Sequence, residues 1–287
     1  MTQSRRAKRA VVATAVFCII ITATLLAAWR LYPDTRLLEI SVLDIGQGDA
    51  ILLEAPNGQV ILVDGGPDKK VLRRLGEELP FWERTIDVIV LTHPHEDHLA
   101  GLISVLDRYQ VGAVMITGVM ASSNSYKHFL EIISNKQIPL ILVEQTETIA
   151  FDDVRLEILY PQSSFKARRM SNINNSSIVM KMVYKEVKLL LTGDAEEAEE
   201  KELLASGLNL EADILKAGHH GSDTSSSEPF VKAVDPELVL VSNGVENSYG
   251  HPSPRTLKRF ERLGITVRRT DLEGTIHINT DGQTIYQ

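Results

Sequence analysis

The chain has 287 residues, 44% of them hydrophobic and 24% charged, with 18 Gly, 11 Pro and one Cys. This composition excludes a collagen, a coiled coil, a long disordered tract and a polytopic membrane protein, and a single thiol excludes both a disulfide framework and a cysteine-rich zinc module. The net charge of −8 divides unevenly: residues 1–36 hold six Lys/Arg against one Asp, a balance of +5, and residues 37–287 hold 24 Lys/Arg against 37 Asp/Glu, a balance of −13.

Arg5, Arg6, Lys8 and Arg9 precede an uncharged apolar run, Ala10–Trp29, which Arg30 closes. About 20 apolar residues suffice to span a ~30 Å hydrocarbon core as a helix, and the basic flank is expected to stay cytoplasmic. Residues 1–36 are therefore expected to form a basic flank, one transmembrane helix and a short linker, and 37–287 a domain outside the membrane. A cleavable signal is the alternative, with Ala27-Ala28 near the end of the run, and would make the protein secreted; the run is long for a signal. Cys18 lies inside the run without the small-residue context of a lipoprotein signal, so it is expected to be an unmodified apolar side chain.

From Leu37 onwards, short apolar runs bounded by Gly, Asn, Asp and Pro predict strands and tight turns. LLEISVLDI, AILLEA and QVILVDGG come first, the last two joined at Pro56-Asn57-Gly58, a hairpin signal. Helix and strand then alternate: helix 69–79, strand 86–92, helix 99–108, strand 113–117, helix 125–136 and strand 140–143. The second half carries strands near 155–160, 177–184, 187–191, 213–217, 238–242 and 275–279, with helices near 196–205 and 254–263. Hairpins and βα units in both halves predict two sheets packed face to face with helices outside, a size that suits one α/β domain. The stretch 161–175, rich in Ser, Asn and Arg, is the nearest thing to a flexible insert.

Candidate chemistry gathers at strand ends. TIDVIVLTHPHEDHLAG delivers His93, His95, Asp97 and His98 into a loop expected to open a helix at Leu99. His93 and His95, two apart, point to one side of an extended backbone and are expected to share a cation, while Asp97 and His98 serve a second. Imidazole and carboxylate suit Zn²⁺, Mn²⁺ or Fe²⁺. Asp194, at a Gly-Asp step after KLLLT, is either a helix N-cap or a carboxylate that bridges two cations; beside two histidine clusters the bridge is favoured. ADILKAGHHGS ends in His219 and His220. Of these, His219 is expected as the ligand and His220 as a substrate-phosphate or leaving-group contact.

Asp64 in ILVDGG, THPHEDH, LTGD and KAGHHGS follow in order the motifs of the metallo-β-lactamase superfamily, and this sequence resembles that family. More narrowly, LDIGQGDAILLEAPNG, VDGG, NNSSIVM, LLLTGD, LKAGHHGSDTSSS and YGHPSP resemble the soluble hydrolase domain of ComEC-type competence DNA-uptake proteins, from about Leu43 to the C-terminus. The resemblance implies a four-layer αββα sandwich with a dinuclear divalent-metal site, Zn²⁺ or Mn²⁺, at one edge. These 287 residues contain no polytopic channel region of the ComEC kind, so a singly anchored relative is expected, with no obligate protein partner. Most dinuclear members place a further His before the Gly-Asp motif; here that stretch reads Asn174-Asn175-Ser176-Ser177. The first metal is then expected on His93, His95 and Asp194 with water, and Asn175 and Ser177 as donors to a substrate oxygen. His128, the intervening histidine, is expected on a helix surface.

The expected reaction is hydrolysis by a hydroxide shared between two cations, with Asp97 orienting it and Asp64 supporting a metal-binding His. His220, Ser222, Asn175 and His251 are the candidate contacts to a phosphodiester. The resemblance points to DNA; a body at −13 fits a tracked phosphate backbone poorly and suits a short or cell-wall phosphodiester better. Basic residues at 166–169 and 255–269 offer local patches or simply a solvated face. A lactone, thioester or β-lactam hydrolase, and a decayed membrane-tethered binding module, are the alternatives.

Overall fold

Alternation along the strands sets the layers of the domain. In β4 (Thr85–Val90) Val88 and Val90 turn to one core while Ile86 and Ile89 turn to another; in β10 (Val187–Leu191) Leu189 and Leu191 face the first core and Leu190 a third. A sheet that buries both faces needs cover on both. The computed structural model describes residues 16, 17, 19–24 and 37–287 and divides the chain into two units, Met1–Arg36 and Leu37–Gln287.

Among the described residues the first sheet runs β15-β14-β1-β2-β3-β4-β5-β6. It comprises β1 (Leu38–Val42), β2 (Ile51–Glu54), β3 (Val60–Val63), β4, β5 (Gln110–Ile116), β6 (Leu140–Leu142), β14 (Ile276–Thr280) and β15 (Ile285–Tyr286). The second runs β13-β12-β11-β10-β9-β8-β7, from β7 (Glu147–Phe151), β8 (Val154–Tyr160), β9 (Val179–Tyr184), β10, β11 (Ile214–Lys216), β12 (Leu238–Val241) and β13 (Thr266–Arg269). The central core joins the inner faces, including Ile40, Val63, Val90, Leu156, Met182 and Leu191. Helices α1 (Lys70–Glu78), α2 (Glu96–Arg108) and α3 (Asn124–Asn135) cover the outer face of the first sheet. Helices α4 (Glu197–Ala205), α5 (Glu228–Val234) and α6 (Pro254–Arg262) cover the second, and α7 (Thr270–Glu273) is a single turn. The expected αββα sandwich is present.

Pairing is parallel from β3 to β6 and from β10 to β13. The carboxyl ends of β3, β4, β10, β11 and β12 therefore open on one edge, where ligands of α/β sheets bind.

Several elements differ from expectation. Helix α2 begins at Glu96 rather than Leu99, because acidic residues in a first turn complement the helix dipole; Asp97 and His98 thus sit on the helix, not in a loop. Strands β7 and β13 lie at the two edges of the second sheet with half-exposed, polar patterns, which lack the apolar runs that mark a strand in sequence. The insert 161–175 is pinned: Ala167 N donates to Gly118 O at 3.0 Å, Met120 N to Arg168 O at 2.8 Å, and Ser164 Oγ to Glu144 Oε1 at 2.7 Å.

Of the first unit, residues 16, 17 and 19–24 are helical and exposed. The remainder of the expected spanning segment, with its basic flank and Cys18, lies outside the described residues, and among the described residues no helix is long and apolar enough to cross a membrane.

Candidate metal centre

Each strand end delivers a different kind of side chain. Thr92 follows β4 and binds Asp64, which follows β3: Thr92 N donates to Oδ1 at 2.8 Å and Thr92 Oγ1 to Oδ2 at 2.7 Å. The same Oδ2 lies 2.8 Å from His98 Nδ1, so a buried carboxylate fixes the ring and turns its Nε2 to the sheet edge. Burial pushes the Asp64 carboxyl up, against the opposing pull of His98. Asp194, after β10, faces that Nε2 with Oδ1 at 3.3 Å, while its Oδ2 lies 3.5 Å from His220 Nε2 and 3.8 Å from His93 Nε2. Its own backbone N–H donates to Ser177 Oγ at 3.1 Å.

Four groups of donor atoms converge here: His93, His98 and Asp194; Asp97, His98 and His220; Asp49, Asp194 and His220; and Asp49, Asp64 and His98. His98 Nε2, His220 Nε2 and Asp194 Oδ1 are buried and lack a hydrogen-bond partner. Buried polar atoms without partners are costly, and lone-pair nitrogens with carboxylate oxygens at one point form a divalent-cation donor set. The residues present therefore fit a metal.

The electrostatics agree. Burial works against the charge of His98 and His220, yet Asp194 with Asp64 raises His98 well above the usual imidazole range, and Asp194 with Asp49 raises His220 to about 9. Burial also opposes ionisation of Asp194, but His220 and His98 hold it well below the carboxylate range. The carboxylates call for positive charge between them, which protonated imidazoles or a divalent cation supply. His93 is held well below its usual range by burial and then by His98, and His95 is lowered by burial. Both are thus neutral, as ligation demands.

Of the two adjacent imidazoles, His220 is the more deeply placed. It is buried and enters two donor groups; His219, 24% exposed at its side chain, enters none, with Nε2 3.7 Å from Asp194 Oδ2 and Nδ1 3.3 Å from Glu196 Oε1. The backbone explains the difference: His219 (φ 47, ψ 50) and His220 (φ 54, ψ 27) are both left-handed, a rarely occupied region for side-chain-bearing residues. The turn swings the second ring inward, a feature that neither Gly nor Asn marks in the sequence. His95 sets Nδ1 3.0 Å from His93 Nε2, a separation at which the two rings can share one cation, although the four donor groups include only His93. Two further expectations change. Ser177 is buried and occupied in holding Asp194 rather than facing a substrate. Ser222 is buried as well, bonded through Oγ to Thr224 Oγ1 at 3.0 Å. Asn175 lines a cleft beside the site. His251 is half-buried at the mouth, its ring 5.5 Å from that of His219 and stacked on exposed Tyr249. His128 is exposed on α3.

Three residues given no role from sequence complete the site. Asp49, in LDIGQGD, lies with Oδ1 3.2 Å from His220 Nδ1 and Oδ2 2.8 Å from Lys216 Nζ. His220 Nδ1 also hydrogen-bonds Ser242 O at 3.1 Å, so its proton is held on the side away from the donor groups. Lys216 is fully buried, and its Nζ also donates to Ala217 O at 2.9 Å. Burial raises the Asp49 carboxyl, but Lys216 and His220 outweigh it and bring it to about 2. Gly48 lets this loop close on α2: at φ +113, a Cβ there would meet Asp97 O at 2.0 Å. Glu196 is the third, accepting from Asn172 and Asn174 at 2.9 and 3.1 Å and touching His219. A lone Asp in a Gly-rich loop and a lone Lys ending a strand were the only signals available.

The chain matches the family model described as the Metallo-beta-lactamase superfamily over residues 43–244. It is 31% identical to ComE operon protein 3 of Bacillus subtilis over 83% of this chain and 32% of that protein, and 30% identical to competence protein ComA of Neisseria gonorrhoeae over 83% and 31%. The chain thus spans about a third of the length of these curated relatives. Among solved structures it is similar to CmlA, a diiron β-hydroxylase from Streptomyces venezuelae (TM-score 0.56, 17% identity, 85% of this chain and 54% of that one). It is also similar to Igni18, a metallo hydrolase from Ignicoccus hospitalis (TM-score 0.55, 14% identity, 83% and 98%). At those identities the likeness is one of fold.

Proposed function

This chain belongs to the metallo-β-lactamase superfamily, and we propose that it is a metal-dependent phosphodiesterase whose favoured substrate is nucleic acid. The observation that carries the reading is the convergence of His98 Nε2, His220 Nε2 and Asp194 Oδ1, buried and without hydrogen-bond partners, at the carboxyl ends of the parallel strands. The names of the competence-protein relatives favour nucleic acid among phosphodiesters.

His93 and His95 with Asp194 would hold one divalent cation, and Asp97, His98 and His220 would hold a second with Asp194 shared; Zn²⁺ and Mn²⁺ both suit these donors. Such cations supply Lewis acidity and ionise water near neutral pH. The rest of the work falls to the chain. Asp64 and Asp49 orient the His98 and His220 rings. Asp97, 31% exposed, is held ionised by the His220 ring, 3.4 Å from its Oδ2, and by the charge of His98 against the effect of burial. It is placed to take the proton of the attacking water. Water oxygen bonds to phosphorus, the bond to the leaving oxygen breaks, and His219 at the mouth returns a proton to that oxygen.

The N-terminal basic flank and apolar run support a single-pass anchor with the domain outside the membrane. Protease added to intact cells tests this placement by releasing the domain.

The activity is tested by incubating the full chain, loaded with Mn²⁺ or Zn²⁺, with single-stranded DNA, a bis-aryl phosphodiester and nitrocefin, beside the Asp97→Ala/His98→Ala double variant. Hydrolysis of both diesters, lost in the variant, is expected. Hydrolysis of nitrocefin alone would contradict it.

A further inference from the structure

Two adjoining clefts open beside the donor groups. One, of about 340 Å³, is lined by Phe165, Arg168, Arg169, Met170, Asn172 and Asn175 with Ser171; the other, of about 350 Å³, shares Arg169 and Met170 and adds Met120 and Lys127 among its walls. In a body of charge −13, no acidic residue lines either cleft among the described residues. Lys127, Arg168 and Arg169 are exposed and make no ion pair among the described residues. The larger basic cleft beside α6, of about 690 Å³, differs: Glu197 pairs Lys201 and Glu228 pairs Arg262 within it, and Glu196, Glu197 and Asp223 line the adjoining hollow towards His219. Acidic side chains thus interrupt that basic cleft and line the hollow between it and His219, whereas none interrupts the other two clefts.

The acid-free clefts are fixed to the metal centre. Asn172 and Asn174 bond Glu196, whose Oε1 lies 3.3 Å from His219 Nδ1. Asn175 Oδ1 is buried without a hydrogen-bond partner. The backbone bonds of Ala167 and Met120 hold the outer wall, so the cavity exists before a ligand arrives. Its walls are mixed: guanidinium and ammonium groups stand beside two thioethers and a Phe ring. Cations answer a phosphate, while thioethers, a ring and guanidinium planes answer a flat base. A polyol-phosphate chain brings no such apolar group.

Resting on the phosphodiesterase reading above, we infer that these clefts hold the nucleotide adjoining the scissile phosphate, so that the substrate class is single-stranded nucleic acid. Lys127, Arg168 and Arg169 take the phosphate charge, and Met120, Met170 and Phe165 pack on the base. Clefts of this size admit one unstacked base rather than a duplex.

The test uses the full chain loaded with Mn²⁺ and an Arg168→Gln/Arg169→Gln variant, with Arg168→Lys/Arg169→Lys as the charge-conserving control. Binding of a labelled single-stranded oligonucleotide is read by anisotropy at several salt concentrations, and turnover is read on the oligonucleotide and on a bis-aryl phosphodiester. In the Gln variant the oligonucleotide KM and Kd rise at least about tenfold, and the log–log salt slope becomes shallower by about 1.4 for two lost phosphate contacts. The Lys variant recovers most of the salt slope, and the loss on the one-phosphate substrate is several-fold smaller than on the oligonucleotide. An unmoved Kd and salt slope, or equal losses on both substrates, would overturn the subsite. A glycerol-phosphate oligomer that competes as well as the oligonucleotide would overturn the assignment of the base. If the wild-type chain binds the oligonucleotide but hydrolyses neither diester, the hydrolase reading falls, and the anisotropy comparison alone decides the subsite.

Discussion

Replacing Asp194 by Asn is expected to lower phosphodiester hydrolysis by about a thousandfold or more, the scale of losing several kcal/mol of Lewis-acid stabilisation. Its two oxygens face four imidazoles, from His93, His98, His219 and His220, so one substitution touches more than one donor group. The amide keeps the volume but loses the charge, and one of its two positions presents N–H donors to nitrogens that need an acceptor or a cation. The fold should persist, because the backbone N–H of residue 194 still reaches Ser177 Oγ, a bond that does not involve the changed side chain. Elemental analysis should show metal lost with activity while the circular dichroism spectrum is retained. Full metal content with full activity in this variant would refute the bridging role.

Lys216→Met is expected to destabilise the domain by about 3–5 kcal/mol, the cost of leaving one member of a buried ion pair behind. Lys216 is fully buried, and its ammonium lies 2.8 Å from Asp49. The sign of the pH dependence follows from Asp49. Its folded carboxyl, held at about 2 against an ordinary 3.8, contributes stability above the unfolded value, and that contribution is lost as pH falls through the folded one. The difference between wild type and variant should therefore be greatest near neutrality and shrink as pH drops from about 4 towards 2. The Lys216→Met/Asp49→Leu double variant separates packing from positioning. Removing both charges should restore most of the stability, while metal affinity stays down by about 10–100-fold because the His220 ring has lost its carboxylate. Recovery of metal affinity in the double variant would reduce the pair to a packing role.

The metal-binding segment at 93–98 was legible in sequence because its signal is local: histidines two residues apart at the end of an apolar strand admit few structures. Asp194 was legible for the same reason, as a carboxylate at a strand-to-helix step. What escaped was set by backbone geometry or by distance along the chain. Nothing in His-His-Gly-Ser reveals that both histidines are left-handed, so the inward ring could not be assigned from residue type. Asp49 and Lys216 are 167 residues apart and meet only because β11 and the loop before β2 open on the same edge. Ser177 looked like a substrate donor because the sheet that buries it against Asp194 is a tertiary fact. Edge strands β7 and β13 carry too little apolar pattern to announce themselves. The insert at 161–175 has the composition of a flexible loop, yet hydrogen bonds to Gly118, Met120 and Glu144 hold it as a wall.

The most direct test of the metal centre is an anomalous-difference map from crystals of the chain grown with Mn²⁺. Peaks are expected within coordinating distance of His98 Nε2, His220 Nε2 and the Asp194 carboxylate, with His219 outside the coordination sphere. A map without a peak among these atoms, or with a peak held by His219 in place of His220, would contradict this assignment.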